Sequence, residues 1–191
     1  MTMYNFYWLP LPNLPKLPDA LCQEFDNLDG KHIINKTTDR MLTNGDQQYH
    51  NGFLTRYQLD FGDWIKQNIV HDYHEISAQI IENGSSTGPH TDRYRRWHLF
   101  YLLEAGGDNV ETVWYQEPGQ PLWRDEFVIY SDYGQLTEMY RCVLPTNTWI
   151  LFNSRIIHDV QNMTGVRKTL TVDLYDMPKE FRQVAESATF A

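Results

Sequence analysis

The sequence predicts a mainly β domain of the α+β class, built on a double-stranded β-helix (jelly-roll) core with N-terminal helices packed on one sheet. Helical patterns occur in residues 1–74, and short β-rich runs separated by turn signals fill residues 75–176. The sequence does not alternate strands with helices, so a parallel α/β sheet is not expected. About eight strands are expected, which is the number that a jelly roll needs.

The chain length of 191 residues fits a single domain spanning residues 1–191. Within it we expect an arm and helices over residues 1–74, the jelly-roll core over 75–176 and a C-terminal segment over 177–191. A chain of this length can bury a substantial core without disulfides or structural metals.

The N-terminal part combines an arm, two helices and a loop. Trp8–Pro18 contains four prolines and should run as an extended arm packed on the surface. Leu42–Gly52 is rich in turn-forming residues and is predicted to be a loop. Asp60 should cap the second helix. The predicted helices, including one that closes the chain from near Pro178, are Asp19–Leu28, Asp60–Val70 and Met177–Ala188.

The strands are expected where β-branched and aromatic residues cluster between turns. The segment Asp132–Gly134 contains turn-forming Asp and Gly and looks like a hairpin connection. The predicted strands are Ile76–Ile81, Trp97–Leu103, Val110–Tyr115, Glu126–Tyr130, Gln135–Val143, Thr148–Asn153, His158–Gln161 and Lys168–Tyr175.

Charge and cysteine usage narrow the class of protein. A net charge of −9 repels polyanions, so a nucleic-acid partner is not expected. The basic cluster Arg93, Arg95 and Arg96 is most simply a solvated loop. Two cysteines without metal-binding spacing suit a reducing cytoplasm, and neither a signal peptide nor a membrane span is expected. The oligomeric state stays open.

Two histidines and a carboxylate form a candidate metal site. His90 and Asp92 are two residues apart in Gly88–Asp92, so at strand period their side chains project from one face. His158 follows the apolar strand Thr148–Asn153, and enough chain lies between for a β-sandwich to return it beside the first pair. Two imidazoles and one carboxylate on one face of iron leave three coordination positions open.

The last strand carries a candidate anion anchor. Alternation from Arg167 to Leu174 places Arg167, Thr169, Thr171 and Asp173 on one face and three apolar residues on the other. The polar face should line a pocket while the apolar face packs under the N-terminal helices. Arginine suits a carboxylate because its planar fork binds bidentately and keeps its proton. Lys168 is the alternative anchor, but its position in the alternation points its side chain away from the face that carries Arg167.

These elements, over roughly residues 76–175, resemble the Fe(II)/2-oxoglutarate-dependent oxygenases, in particular prolyl-hydroxylase-like and aspartyl/asparaginyl-hydroxylase-like members. In that family H-x-D, a later H-x-V and an Arg or Lys about nine residues beyond follow in this order. The resemblance implies that His90, Asp92 and His158 hold Fe(II) and that Arg167 holds the distal carboxylate of 2-oxoglutarate. It also implies hydroxylation of a small molecule or a peptide side chain, with release of succinate and carbon dioxide.

Two further residues of the strand Trp97–Leu103 matter for the site. The resemblance suggests that Tyr101 assists Arg167 at the co-substrate carboxylate, although simple core packing of Tyr101 would explain it equally. His98 has the opposite parity, and we expect a helix to cover it. The remaining histidines are not assigned to metal.

Two other functions remain open on the sequence alone. One is a cupin-like metalloprotein that does not use 2-oxoglutarate, against which Arg167 argues. The other is a jelly-roll binding or structural module without metal.

Overall fold

A computed structural model describes residues 4–37, 41–44, 47–50, 52–82, 84, 86–93 and 95–188. The α-helices are α1 (Asp19–Gln23), α2 (Gly62–Asn68) and α3 (Lys179–Ser187), and short 3-10 helices span Glu24–Asp26 and Tyr133–Gln135. The strands are β1 (Trp8–Pro10), β2 (Ile33–Lys36), β3 (Met41–Asn44), β4 (Gln47–His50), β5 (Phe53–Gln58), β6 (Glu75–Glu82), β7 (Trp97–Glu104), β8 (Glu111–Gln116), β9 (Thr137–Cys142), β10 (Trp149–Asn153), β11 (Ile157–Gln161) and β12 (Arg167–Leu174).

Successive strands cross back and forth between two antiparallel sheets. The large sheet has the order β1-β10-β7-β12-β6-β5-β2, and the small sheet has the order β11-β8-β9. Residues 86–90, between β6 and β7, extend the small sheet through bridges of Ser86 to Gln161 and of His90 to His158. From β6 to β12 the chain thus alternates between the sheets, apart from the β8–β9 pair. This topology confirms the predicted double-stranded β-helix.

The two faces of the large sheet have different neighbours. One face buries Leu170 and Val172 of β12 against residues of the helical layer such as Phe25, Ile65 and Phe181. This confirms that the apolar face of the last strand packs under the helices. The opposite face meets the small sheet across a second core of buried aromatic and aliphatic residues, which includes Phe100, Trp114, Ile150 and Phe152.

Seven of the eight predicted strands are present, with ends within two residues of the prediction. Glu126–Tyr130 is the exception. This segment is not a regular strand, but it forms a few backbone hydrogen bonds with the segment around Pro89. Tyr130 N donates to Pro89 O at 2.9 Å, and Thr91 N donates to Val128 O at 3.0 Å. The ladder cannot continue regularly because proline has no N–H to donate. The predicted hairpin connection at Asp132–Gly134 is instead the start of a 3-10 helix, which the side chain of Asp132 caps.

The N-terminal third contains more strand than predicted. β1, β2 and β5 join the large sheet, and within the predicted loop Leu42–Gly52 the described residues belong mainly to the two-stranded ribbon β3–β4. The polar residues of that ribbon conceal its β character from composition. Helix α2 begins later than predicted, and no side chain caps it. Its first residue follows Phe61, so Asp60 lies outside the capping position.

The predicted arm is confirmed. β1 pairs with the edge of β10, and the indole nitrogen of Trp149 donates to the carbonyl oxygen of Pro15 at 2.9 Å. α3 begins directly after Pro178, as predicted. Among the described helices, none has both the length and the apolar character to span a membrane.

Candidate metal centre

A reciprocal pair of backbone hydrogen bonds brings the two predicted histidine ligands together. His90 N donates to His158 O at 3.0 Å, and His158 N donates to His90 O at 2.9 Å. Directly paired residues of an antiparallel bridge project from the same side, and the two imidazole centroids lie 4.5 Å apart. Donor atoms of His90, Asp92 and His158 all lie within 4.8 Å of one another. The structure therefore places the three predicted ligands in one cluster.

Backbone carbonyls orient both imidazoles. The Nδ1 of His90 lies 2.7 Å from Gly88 O, and the Nδ1 of His158 lies 2.9 Å from Ile156 O. A carbonyl only accepts, so each Nδ1 must carry the proton and each Nε2 presents a lone pair. Gly88 has φ of 76°, a left-handed value that favours glycine. The donor set thus fits a metal that prefers two imidazoles and a carboxylate, such as Fe(II).

Arg95 holds the carboxylate of Asp92. Its Nε donates to Asp92 Oδ2 at 2.7 Å and a terminal nitrogen donates to Oδ1 at 3.2 Å. Burial alone would raise the pKa of Asp92, but Arg95 and the two histidines outweigh it and hold that pKa well below its ordinary value. Asp92 is therefore ionised and ready to act as a ligand. The sequence had suggested a solvated loop for this arginine, whereas only 8% of Arg95 is exposed.

The Asp92–Arg95 pair continues into a longer row of charges. Arg95 also donates to Asp173, and Arg56 donates to Asp173 Oδ2 at 2.7 Å and contacts Glu75 at 2.8 Å. Three carboxylates and two guanidiniums thus carry one net negative charge. Because Arg95 is also neutralised by Asp173, the charge of Asp92 is not cancelled by its own partner alone. A divalent cation beside Asp92 would be electrostatically favoured.

Arg167 lies in the same cleft as the histidines, and no described residue gives it an acidic partner. The cleft has a volume of about 500 Å³ with its open mouth included, and both His90 and His158 line it. Arg167 is 6% exposed, and its side chain donates a hydrogen bond to Ala105 O at 3.2 Å. Burial lowers the pKa of Arg167 to about 10, with no carboxylate among the described residues to offset it. A buried, unpaired guanidinium is costly unless an anion binds to it.

Lys168 lies as predicted, whereas Tyr101 lies outside the cleft. Lys168 contacts Asp26 at 3.1 Å and Glu104 at 2.8 Å near the surface, which agrees with its predicted outward parity. Tyr101 does not lie in the cleft. Its ring packs edge-on against Trp149 in the core under the N-terminal arm, with centroids 5.3 Å apart. The packing alternative for Tyr101 therefore fits the structure, and we do not include Tyr101 in the proposed site.

His98 lies where the sequence analysis did not place it. The face of β7 that carries Tyr101 is the one covered by the helical layer, and His98 on the opposite face lines the cleft. Burial, and secondly the charge of Arg95, keep the pKa of His98 well below its ordinary value, so the ring is neutral. β7 is apolar on both faces, and parity could not tell which face meets the cleft. A lone polar residue on one face of such a strand was the available signal.

Neither a family model nor a curated protein is significantly similar to this sequence. Among solved structures, an oxidoreductase of the 2OG-Fe(II) oxygenase family from Burkholderia pseudomallei shares 11% identity over 87% of this chain and 84% of its own, with a TM-score of 0.49. A Pseudomonas putida prolyl-4-hydroxylase shares 13% identity over 90% and 94%, with a TM-score of 0.48. Hazelnut (Corylus avellana) vicilin shares 15% identity over 78% and 33%, with a TM-score of 0.41. All three scores lie below 0.5, so function is argued from the side chains.

Removing any of the three proposed ligands should remove metal binding. We expect His90→Ala, Asp92→Ala and His158→Ala each to lose Fe(II) binding in the micromolar range, because each removes one of three donors in the cluster. Anaerobic titration of Fe(II) or Mn(II) into the purified variants measures this. His71→Ala changes an exposed histidine outside the cluster and serves as the control. Parental affinity in all three ligand variants would contradict the site.

The metal-free protein should lose stability as the pH falls below 6.5. Burial, with a contribution from His90, lowers the pKa of His158 to about 3, and the pKa of His98 is lowered as well. Below pH 6.5 the unfolded chain binds protons on both rings that the folded chain does not, so stability rises with pH in this range and levels off above it. Each histidine should contribute a slope of up to about 1.4 kcal/mol per pH unit.

Urea unfolding of the metal-free protein at pH 7, 6 and 5 tests this slope. The His158→Phe variant removes one of the two titrating rings, so its slope should be shallower than that of the parent. An equal slope in the two proteins would show that His158 is not buried as a neutral group.

Proposed function

We propose that this protein is an Fe(II)- and 2-oxoglutarate-dependent oxygenase that hydroxylates a small molecule or a peptide side chain. The observation that carries the proposal is the presence, in one cleft, of a two-histidine, one-carboxylate cluster and a buried arginine without an acidic partner among the described residues. The first suits Fe(II), and the second suits the distal carboxylate of a dicarboxylic acid.

The residues divide the work of binding between metal and co-substrate. His90, Asp92 and His158 would hold Fe(II), with both imidazoles already oriented by carbonyls and Asp92 by Arg95. Bound Fe(II) would supply dioxygen activation, coupled to decarboxylation of 2-oxoglutarate to succinate and carbon dioxide and to hydroxylation of a C–H bond. Arg167 would orient the co-substrate by binding its far carboxylate in a bidentate contact.

Part of the cleft wall is apolar. Phe100, Leu144 and Phe152 line the cleft together with Val160. Apolar walls lower the local dielectric and strengthen the contact between Arg167 and a bound carboxylate. They leave the polar ends as the groups that orient a ligand, as is usual in small-molecule sites.

The iron-loaded protein should consume 2-oxoglutarate slowly in air even without its primary substrate. The reason is that the proposed site binds metal and co-substrate independently of a third molecule. Succinate formation, followed by chromatography, measures this, and Asp92→Ala is the matched control because it lacks a ligand. If the parent binds metal but neither binds nor consumes 2-oxoglutarate, the hypothesis of a cupin-like metalloprotein replaces this proposal. If the parent binds no metal, the hypothesis of a metal-free binding or structural module replaces it.

Arg167→Ala should weaken 2-oxoglutarate binding much more than metal binding. Loss of a charge-assisted contact in a buried site costs about 2–5 kcal/mol, or roughly 30-fold to several thousand-fold in affinity. Calorimetric titration of 2-oxoglutarate into anaerobic Mn(II)-loaded protein measures this. Lys168→Ala is the matched control, since Lys168 points to the surface and pairs with Asp26 and Glu104.

The same variants separate a binding role of Arg167 from a structural one. Because Arg167 has no acidic partner among the described residues, its removal should leave the melting temperature of the ligand-free protein unchanged or higher. A large loss of stability together with unchanged 2-oxoglutarate affinity would make Arg167 a structural residue. A larger effect of Lys168→Ala would move the anchor to the neighbouring position.

A further inference from the structure

His98 is a buried polar side chain that the proposed site does not yet use. It lies on β7 between β10 and β12, where it pairs with Phe152 on one side and Asp173 on the other. Only 7% of the residue is exposed. Its ring packs against Phe100 and Phe152, with centroid distances of 5.0 and 5.7 Å. Aromatic neighbours hold the ring in place but offer it no conventional hydrogen bond.

Neither ring nitrogen of His98 has a hydrogen-bond partner among the described residues. Oδ2 of Asp92 lies 3.8 Å from Nδ1 of His98, which is too far for a hydrogen bond. Buried donors without partners are rare in folded proteins because each loses its hydration without compensation. Trp114, Ser154 and Arg155 also have such an atom, but His98 alone among these four lines the cleft.

His98 lies at the metal end of the cleft. Phe152 contacts the rings of both His98 and His158, the latter at a centroid distance of 4.7 Å. On β12, the strand position opposite His98 is Asp173, whereas Arg167 begins the same strand. The two polar groups therefore lie at opposite ends of β12, with His98 at the end near the metal cluster.

We propose that His98 binds the co-substrate at its metal-proximal end, by donating a hydrogen bond from its imidazole to the carboxylate next to the keto group. This inference rests on the proposed function. An imidazole ring carries at least one N–H, and the carboxylate of a 2-oxo acid accepts a hydrogen bond from it. His98 and Arg167 would then hold the two ends of one dicarboxylic acid and fix its direction in the cleft.

The test compares two ligands that both place a carboxylate at the metal, of which only 2-oxoglutarate also has a distal carboxylate. 2-Oxoglutarate and oxalate are each titrated by calorimetry into anaerobic, Mn(II)-loaded full-length protein. His98→Phe should weaken both ligands by a similar factor of roughly 10- to 100-fold, because a hydrogen bond to a charged group is lost. Arg167→Ala should weaken 2-oxoglutarate alone. His98→Gln keeps an N–H donor and should retain more affinity than His98→Phe, and the exposed His71→Phe should behave as the parent.

Other results of the binding measurements would overturn the inference, each in a distinct way. Parental affinity of His98→Phe for both ligands would remove His98 from the binding site and leave the proposed function intact. Loss of 2-oxoglutarate binding alone would assign His98 to the distal end. A loss of Mn(II) affinity like that of His158→Ala would make His98 a metal ligand. If His98→Phe does not fold, His98→Leu takes its place. If the metal-loaded parent binds neither ligand, the proposed function itself is wrong.

Discussion

The site depends on one backbone contact, the reciprocal hydrogen-bond pair between His90 and His158. It joins the segment that precedes β7 to β11, and so brings ligands from distant parts of the chain to one side of the small sheet. The neighbouring carboxylate of Asp159 strengthens the junction by accepting bonds from Ser86 Oγ at 2.9 Å and from Thr87 N at 3.0 Å. Hydrogen bonds to an ionised group are stronger than those between neutral groups. The backbone thus assembles the cluster through protein contacts alone.

Strand β12 carries two buried charges that differ in their hydrogen-bond partners. Asp173 near its end accepts from both Arg56 and Arg95, so two guanidiniums stabilise its charge within the protein. Arg167 at its start is equally buried and lacks a carboxylate among the described residues. Both side chains project from the same face of one strand. This difference in partners supports the proposal that Asp173 is structural and that Arg167 binds an anion.

Much of the fold could be predicted because alternation and turn chemistry are local signals. The run from Arg167 to Leu174 alternates polar and apolar residues, and the structure places its two faces as the alternation predicts. β7 behaves differently, since Trp97–Glu104 is apolar on both faces and buried throughout most of its length. Its sequence could not show whether Tyr101 or His98 meets the cleft. The β3–β4 ribbon was missed for a related reason, because polar composition outweighs strand pairing in a local pattern.

The sequence by itself determined the jelly-roll core and the facing of Arg167, which follow from strand period and turn signals. It also indicated His90, Asp92 and His158 as candidate metal ligands, for which spacing and order were combined with the resemblance to a known family. Only the tertiary structure decided that Arg95 is a buried partner of Asp92, that Tyr101 packs in the core and that His98 lines the cleft. The physical reason is that burial and hydrogen-bond partners depend on which elements meet across the two sheets, and residues far apart in sequence supply those contacts.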